Sequence, residues 1–313
     1  MPFSLILLKL GRGVLTLLLA VSFVFLALRL SGDPAELLAG SEAPPEVVEQ
    51  YRTRLGLDQP IPVQYAAYLG GLLQGDFGAS FRDGRPALEV VMERVPKTLW
   101  LATVAYAGGA LLGILLGMAA ALAHGTLLDR GLMSVAVLGY SMPNFFLGVL
   151  LIYLFAMVLQ VLPSSGSSSP WHILLPALTL GTAFAGQLAR FTRSAMLEVL
   201  GRTYMRTAAA KGVQAPRRLW RHALPNALIP VVTIMGLKLG SILAWAVVTE
   251  SVFAWPGVAR LLTSAVAQRD LPVVQTIILL TVLVMVVVNV TVDILYGWLD
   301  PRIASERSRM ASS

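Results

Sequence analysis

Apolar stretches of about twenty residues recur along this chain, and no other feature constrains its fold as strongly. A helix that crosses a bilayer needs roughly 20 mainly apolar residues. Six stretches qualify, at 10–30, 99–123, 135–162, 174–191, 228–249 and 273–296. The fourth is the weakest, being short and interrupted by Gly181, Gly186 and Gln187. Of the 313 residues, 56% are hydrophobic and only 13% charged, against about 25% charged in an average soluble domain. A soluble protein this apolar could not cover its surface, so lipid is the solvent. The expected fold is therefore an all-α, polytopic membrane protein with six transmembrane helices.

Basic residues set the orientation. The 190–227 segment carries Arg190, Arg193, Arg202, Arg206, Lys211, Arg217, Arg218 and Arg221 against one acid, Glu198. A short, strongly basic loop belongs on the cytoplasmic side, which puts both termini there too. The first apolar run follows Lys9 and Arg12, as a signal peptide would, but it ends in ALRLSGDPA with no clear A-x-A cleavage site. It reads as a span. Residues 31–96 then form a non-spanning extracytoplasmic segment. Asp33-Pro34 and Pro44-Pro45 are helix-start signals, PVQYAAYLGGLL is an amphipathic helix, and GDFGASFRDGRP is a run of turns.

The basic segment has two helical halves. LEVLGRTYMRTAAAK runs up to Gly212, a suitable residue to close a helix in the left-handed conformation. APRRLWRHAL restarts a helix with Pro216 near its N-terminus. Ala208, Ala209 and Ala210 keep one face narrow, so the pair could enter a cleft in another protein. A basic loop touching anionic lipid is the other reading. Elsewhere, Gly109, Gly113 and Gly117 form a double GxxxG, and Gly236 with Gly240 another. Such faces allow close helix packing, within the subunit or against a partner. Pro143 interrupts the third span and bends it, leaving Asn144 at membrane depth. Lys238 falls near the middle of the fifth span, where a charge is expensive on lipid. It either lines a pathway or pairs with Asp293 on the sixth span. Glu250 ends the fifth span and is placed at a pathway mouth. His124, His172 and His222 are too scattered for a metal cluster, and with no cysteine there is no thiol chemistry. The phosphate-loop pattern GxxxxGK[ST] is missing, as are HExxH and GxSxG. An intramembrane protease would want paired catalytic side chains, and Asp293 is the one clear intramembrane Asp. A stand-alone ion-coupled carrier would need no such loop and usually carries inverted repeats.

Thr207-Ala208, Gly212 and Leu224-Pro225 fall at the spacing of the EAA loop, the signature of membrane subunits of binding-protein-dependent ABC importers. Arg206 and His222 depart from the general motif, which has Glu and Ile there. The likeness runs from SGDPAELLAG at Ser31 to DPRI at Asp300, and the chain resembles the dipeptide/oligopeptide/nickel branch of these permeases. The resemblance implies a type I ABC importer permease fold. Its divisions are an N-terminal end and first span (1–30), an extracytoplasmic segment (31–96), a transmembrane core (93–299) with a coupling loop (196–226), and a cytoplasmic tail (300–313). It also implies an inner-membrane, heterodimeric pathway made with a homologous second permease. Two ABC ATPase subunits, holding ATP and Mg, and an extracytoplasmic substrate-binding protein complete the assembly. This chain would bind no cofactor, no metal and no nucleic acid, and would perform no catalysis. The coupling residues on this reading are Arg206, Thr207, Ala208, Ala209, Ala210, Lys211, Gly212, His222, Leu224 and Pro225. Asn144, Lys238, Glu250 and Asp293 are the pathway candidates. Di- and oligopeptides, glutathione among them, are the expected substrates, with nickel or a metal chelate as the alternative.

Overall fold

The computed structural model describes residues 3–30, 33–40, 43–239 and 241–299. In chain order the helices are α1 (Phe3–Leu30), α2 (Pro34–Ala39), α3 (Pro45–Arg54), α4 (Ile61–Leu73), α5 (Ala87–Met92), α6 (Val95–Leu122), α7 (Leu127–Ser141) and α8 (Asn144–Leu151). There follow α9 (Leu174–Leu200), α10 (Thr203–Ala210), α11 (Ala215–Arg218), α12 (Leu224–Leu239), α13 (Ser241–Val252), α14 (Val258–Ala267) and α15 (Leu271–Leu299). Apart from one isolated bridge between Ala79 and Pro86, the described residues form no β-structure. The chain divides into two compact units, residues 1–96 with 260–313, and residues 97–259.

Among the described residues, three helical stretches are long and apolar enough to cross a membrane: Ala87–Leu122, Pro170–Leu200 and Leu271–Val288. A fourth is counted if Leu127–Ser141 and Asn144–Val158 are one broken span. The other two expected spans, on α1 and on α12–α13, adjoin residues outside the described ones. At the break the expected kink is instead a bend of 108°. Pro143 disfavours helical backbone at Met142, which is extended (φ −75°, ψ 129°), so α7 stops and α8 restarts on a new axis.

In the first unit α15 packs along α1 and against α5. The sixth expected span lies on α15. The Ser22 hydroxyl and Tyr65 hydroxyl meet at 2.6 Å, tying α4 to α1. Asp33 caps α2 by accepting from the Ala35 N–H at 2.9 Å and pairs with Arg52 of α3 at 2.5 Å. Asp270, buried at the start of α15, accepts from the Ser80 hydroxyl at 2.5 Å and the Phe81 N–H at 3.0 Å. In the turn before α5, the Arg85 backbone N–H holds the Asp83 carboxyl below its ordinary range.

The second unit is organised around α9, which touches α7, α8, α12 and α13. Of the three long apolar helices it is the most buried, although its sequence looked the least convincing. Its glycines are the reason. A Cβ on Gly181 would stand 2.7 Å from the Ala105 carbonyl oxygen of α6. One on Gly186 would overlap the Ala136 carbonyl of α7. Residues that weaken an isolated helix are here what lets two neighbours approach its backbone. The double GxxxG of α6 faces this same helix: Cβ atoms on Gly109 and Gly113 would lie 2.8 Å from the carbonyl oxygens of Gly181 and Ala185. One on Gly117 would overlap the Ala189 carbonyl. This glycine face thus packs within the subunit. The pair at 236 and 240 lies partly outside the described residues.

Candidate functional site

α10 and α11 follow α9 as two short helices. The first is pinned by one side chain. Met205 is buried with Met196 of α9, Ala121 of α6, Ala227 of α12 and Ala223 just before α12. Around that anchor the helix is open: Arg206, Thr207, Ala209, Ala210, Lys211 and Gly212 are exposed and Ala208 is half-buried. Gly212 adopts φ +77°. Its N–H donates to the Ala209 carbonyl at 3.0 Å and the Val213 N–H to the Ala208 carbonyl at 3.1 Å. The bond pattern is that of a left-handed helix cap. Nothing lies within 4 Å of where a Gly212 side chain would begin, so the glycine serves the turn and not a close contact. Pro216 sits in the first turn of α11, which runs through a wider π turn (Leu219–Ala223) into α12.

His222 lies half-buried in that turn, and its carbonyl accepts from the Asn226 amide at 2.7 Å. Leu224 is half-buried and Pro225 exposed at the start of α12. Met205, Arg206, Ala209, Ala215 and Arg218 are among the residues lining a shallow cavity of about 320 Å³ between the two short helices. The loop therefore offers small side chains over an accessible backbone, edged by cations, with Tyr204 and Trp220 exposed beside them. Such a surface lets another protein approach the α10 backbone without burying an acidic group of α10 or α11.

The pathway candidates stand apart from this loop in several settings. Asn144 is half-buried and opens α8 directly after the 108° bend. Lys238 is half-buried on α12, beside a position outside the described residues. Asp293 falls on α15, and its side chain is outside the described residues, as is the tail from residue 300. Glu250 requires a correction. It is fully buried and does not face a mouth. Its carboxylate accepts from the Thr98 hydroxyl at 2.6 Å and lies against Gly257, where any Cβ would overlap it. Thr98 in turn accepts from the Val258 N–H at 2.8 Å, and the Trp255 indole donates to the Lys97 carbonyl at 3.0 Å. The acid thus fastens the 253–258 turn to the start of α6.

A second buried acid, Asp129, escaped the sequence reading. Arg193 of α9 grips it with two 2.7 Å bonds, from Nε and Nη2, the paired geometry that makes guanidinium–carboxylate contacts strong. The Gly125 N–H donates to it at 3.0 Å, and the His124 ring lies 3.5 Å away. Its one sequence signal was Thr126-x-x-Asp129, a helix-start pattern. Thr126 does cap α7, accepting from the Asp129 N–H at 3.4 Å.

An all-helical chain with membrane-length helices, a close-packed glycine seam and a small-residue loop on two short helices has the makings of a transporter's membrane subunit. The chain belongs to the family of binding-protein-dependent transport system inner membrane components, whose profile matches residues 113–305. The N-terminal companion profile of these membrane components matches residues 3–102. The chain is 46% identical over 289 residues to the glutathione transport system permease protein GsiC of Salmonella choleraesuis (strain SC-B67), covering 92% of this chain and 94% of the relative. The Escherichia coli (strain K12) protein of that name is 45% identical over 289 residues, with the same coverage. Among solved structures, the inward-facing MetNI methionine ABC transporter superposes with a TM-score of 0.57 at 18% identity, over 67% of this chain and 96% of that one. A chain of an amino acid ABC transporter gives 0.53 at 14% identity, over 66% and 92%. These last two share the fold. The protein is the permease subunit of a binding-protein-dependent importer in the peptide branch of that family.

Proposed function

We propose that this permease forms half of an ATP-driven pathway for glutathione and other short peptides. The substrate assignment rests on the relatives named for glutathione transport, 46% identical over 92% of the chain. A homologous permease supplies the other half of the pathway, and an extracytoplasmic binding protein delivers the substrate. Two ATPase subunits hold ATP and Mg and carry out hydrolysis, while this chain performs no bond chemistry. Six spans cross the membrane, with both termini cytoplasmic, and the α10–α11 loop seats in an ATPase cleft. Closure of the ATPase pair pushes on α10. Met205 passes the displacement to α9 through Met196, to α12 through Ala227 and to α6 through Ala121. The glycine seam makes α6 and α9 move as one body, and access to the pathway switches from outside to inside.

The test is the reconstituted importer. Glutathione-loaded binding protein should stimulate its ATPase, and labelled glutathione should accumulate in vesicles. Stimulation by a nickel-loaded binding protein and none by glutathione would overturn the substrate. Orientation is tested separately, in a chain that has no cysteine of its own. A cysteine at exposed Gln214 should resist impermeant thiol reagents applied outside whole cells, and one at exposed Ser168 should react. The reverse pattern would invert the topology.

A further inference from the structure

Helices α3 and α4 are neighbours in the chain, but they distribute their polar residues in opposite ways. α3 is an ordinary water-facing helix. Glu46, Glu49, Gln50 and Arg54 are exposed, while Val47, Val48 and Tyr51 are half-buried. α4, IPVQYAAYLGGLL, has no charged residue in its 13 positions. Its polar side chains are Gln64, Tyr65 and Tyr68, and all three are half-buried. The Gln64 amide donates to the Leu57 and Gln59 carbonyls at 3.1 and 2.6 Å. The Tyr65 hydroxyl meets that of Ser22 at 2.6 Å, and Tyr68 stacks on Phe25 at 5.5 Å.

After Ile61, the exposed positions of α4 are Pro62, Val63, Ala66, Ala67 and Leu73. At about 100° per residue they share one side of the helix, opposite Tyr65 and Tyr68. Val63 is 51% exposed and Leu73 90%. A helix that lies in water hides its apolar side and shows its polar one. α4 does the reverse, so its outer surroundings are apolar.

Depth identifies those surroundings. Tyr65 and Tyr68 meet α1 at Ser22 and Phe25, five to eight residues before α1 ends at Leu30. At 1.5 Å per residue that is about 7–12 Å down the helix axis. Phe23 and Leu26, at the same level of α1, are 72% and 54% exposed. With α1 as the first span, the medium at that level is lipid. α4 itself is about 20 Å long, short of the roughly 30 Å needed to cross. Exposed Gln59 precedes it and exposed Gln74 and Asp76 follow it, so both ends are polar. Helices that lie along a membrane surface sink their apolar face about 5–10 Å into it, a matching depth.

We propose that α4 is an interfacial helix of the outer leaflet, with its Val63–Leu73 side bedded in phospholipid acyl chains. Part of the extracytoplasmic segment then lies in the membrane and not above it, and α3 is held at a fixed height over the bilayer. The inference rests on α1 being a span. Nitroxide labels on single cysteines at Val63, Leu73, Glu49 and Phe23 test it, in a chain with no cysteine of its own. The sample is the reconstituted importer in phosphatidylcholine–phosphatidylglycerol nanodiscs. Collision with chromium oxalate, which is charged and water-soluble, is compared with collision with oxygen. The ratio of chromium oxalate to oxygen collisions should be at least about tenfold lower at Val63 and Leu73 than at Glu49, since a charge entering hydrocarbon loses more than that factor. Ratios equal to that at Glu49 would put α4 in water and overturn the proposal. Labels at Val63 and Leu73 reached by neither quencher would overturn it in favour of a protein partner on this face. Phe23 reports on the span separately. An oxygen-favoured Phe23 beside water-exposed Val63 and Leu73 would sink the interfacial helix and leave the span standing. Chromium oxalate reaching Phe23 would remove both.

Discussion

Glycine does opposite things in the α6–α9 seam and in the α10–α11 loop. At Gly109, Gly113 and Gly117 the backbone is ordinary helix, and what matters is that no side chain stands between two helices. At Gly212 the space is open on all sides, and what matters is the left-handed turn. The first use makes a rigid body and the second ends a small exposed helix. A transport subunit of the proposed kind needs both, a stiff bundle to be moved and a handle that another protein can grip. The same residue type therefore predicts different failures in the two places.

The largest effect is expected in the seam. Gly117→Ala puts a methyl group against the Ala189 carbonyl, 2.6 Å from Thr192 Cβ and 3.0 Å from the Arg193 N–H. Backbone on the far side cannot swing away, so α6 and α9 must part, at a cost of roughly 3 kcal/mol. Thermal unfolding of the detergent-purified chain would register this as a clear drop. Gly108→Ala is the control, because that neighbouring glycine has nothing within 4 Å. There alanine should stabilise the helix by roughly 0.5–1 kcal/mol. Equal shifts for the two substitutions would mean that the seam is looser than its geometry indicates.

The loop should respond more weakly and locally. Gly212→Ala strains one residue at φ +77° by about 1–2 kcal/mol. Faster hydrogen exchange confined to 203–213 is the expected signature, with the seam unchanged. Gly212→Glu adds charge and bulk to the same strain. If the loop seats in an ATPase cleft, that variant should fold yet lose co-purification with the ATPase subunits. Retained co-purification and normal uptake would refute the coupling role.

How much of this was legible in the sequence differs along the chain. Punctuation was readable: Asp33-Pro34 and Pro44-Pro45 precede α2 and α3, and Gly212 closes α10. These signals work because the residues within a few positions fix the backbone. The strength of α9 was misjudged because Gly181 and Gly186 act through α6 and α7, which lie far away in sequence. Pro143 announced a bend, but its 108° depends on what α8 packs against, α9 and α13. Glu250 looked like a pathway acid because its hydroxyl partner, Thr98, lies 152 residues earlier. In the loop, the alanine–glycine spacing was visible, whereas the Met205 anchor was not: a lone methionine has no pattern until Met196 and Ala223 surround it.

The smallest effect on stability should come from Lys238, which belongs to neither kind of site. It stands on α12, half-buried, with its long aliphatic stem packed along the helix surface. Gln keeps most of that stem, so Lys238→Gln should move the unfolding temperature by the equivalent of about 1 kcal/mol at most. Gly236, two positions earlier, lies roughly 200° around the helix from it at about 100° per residue. A side chain on that opposite face, half-buried and charged, is well placed to meet passing substrate. If it lines the pathway, Lys238→Gln should assemble normally and change uptake or the stimulation of ATPase by the binding protein. The opposite pattern, lost assembly that returns when Asp293 is also made neutral, would identify a structural ion pair. It would place Lys238 with Glu250 and Asp129 among the charges that hold this bundle together, leaving Asn144 as the remaining polar candidate for contact with substrate.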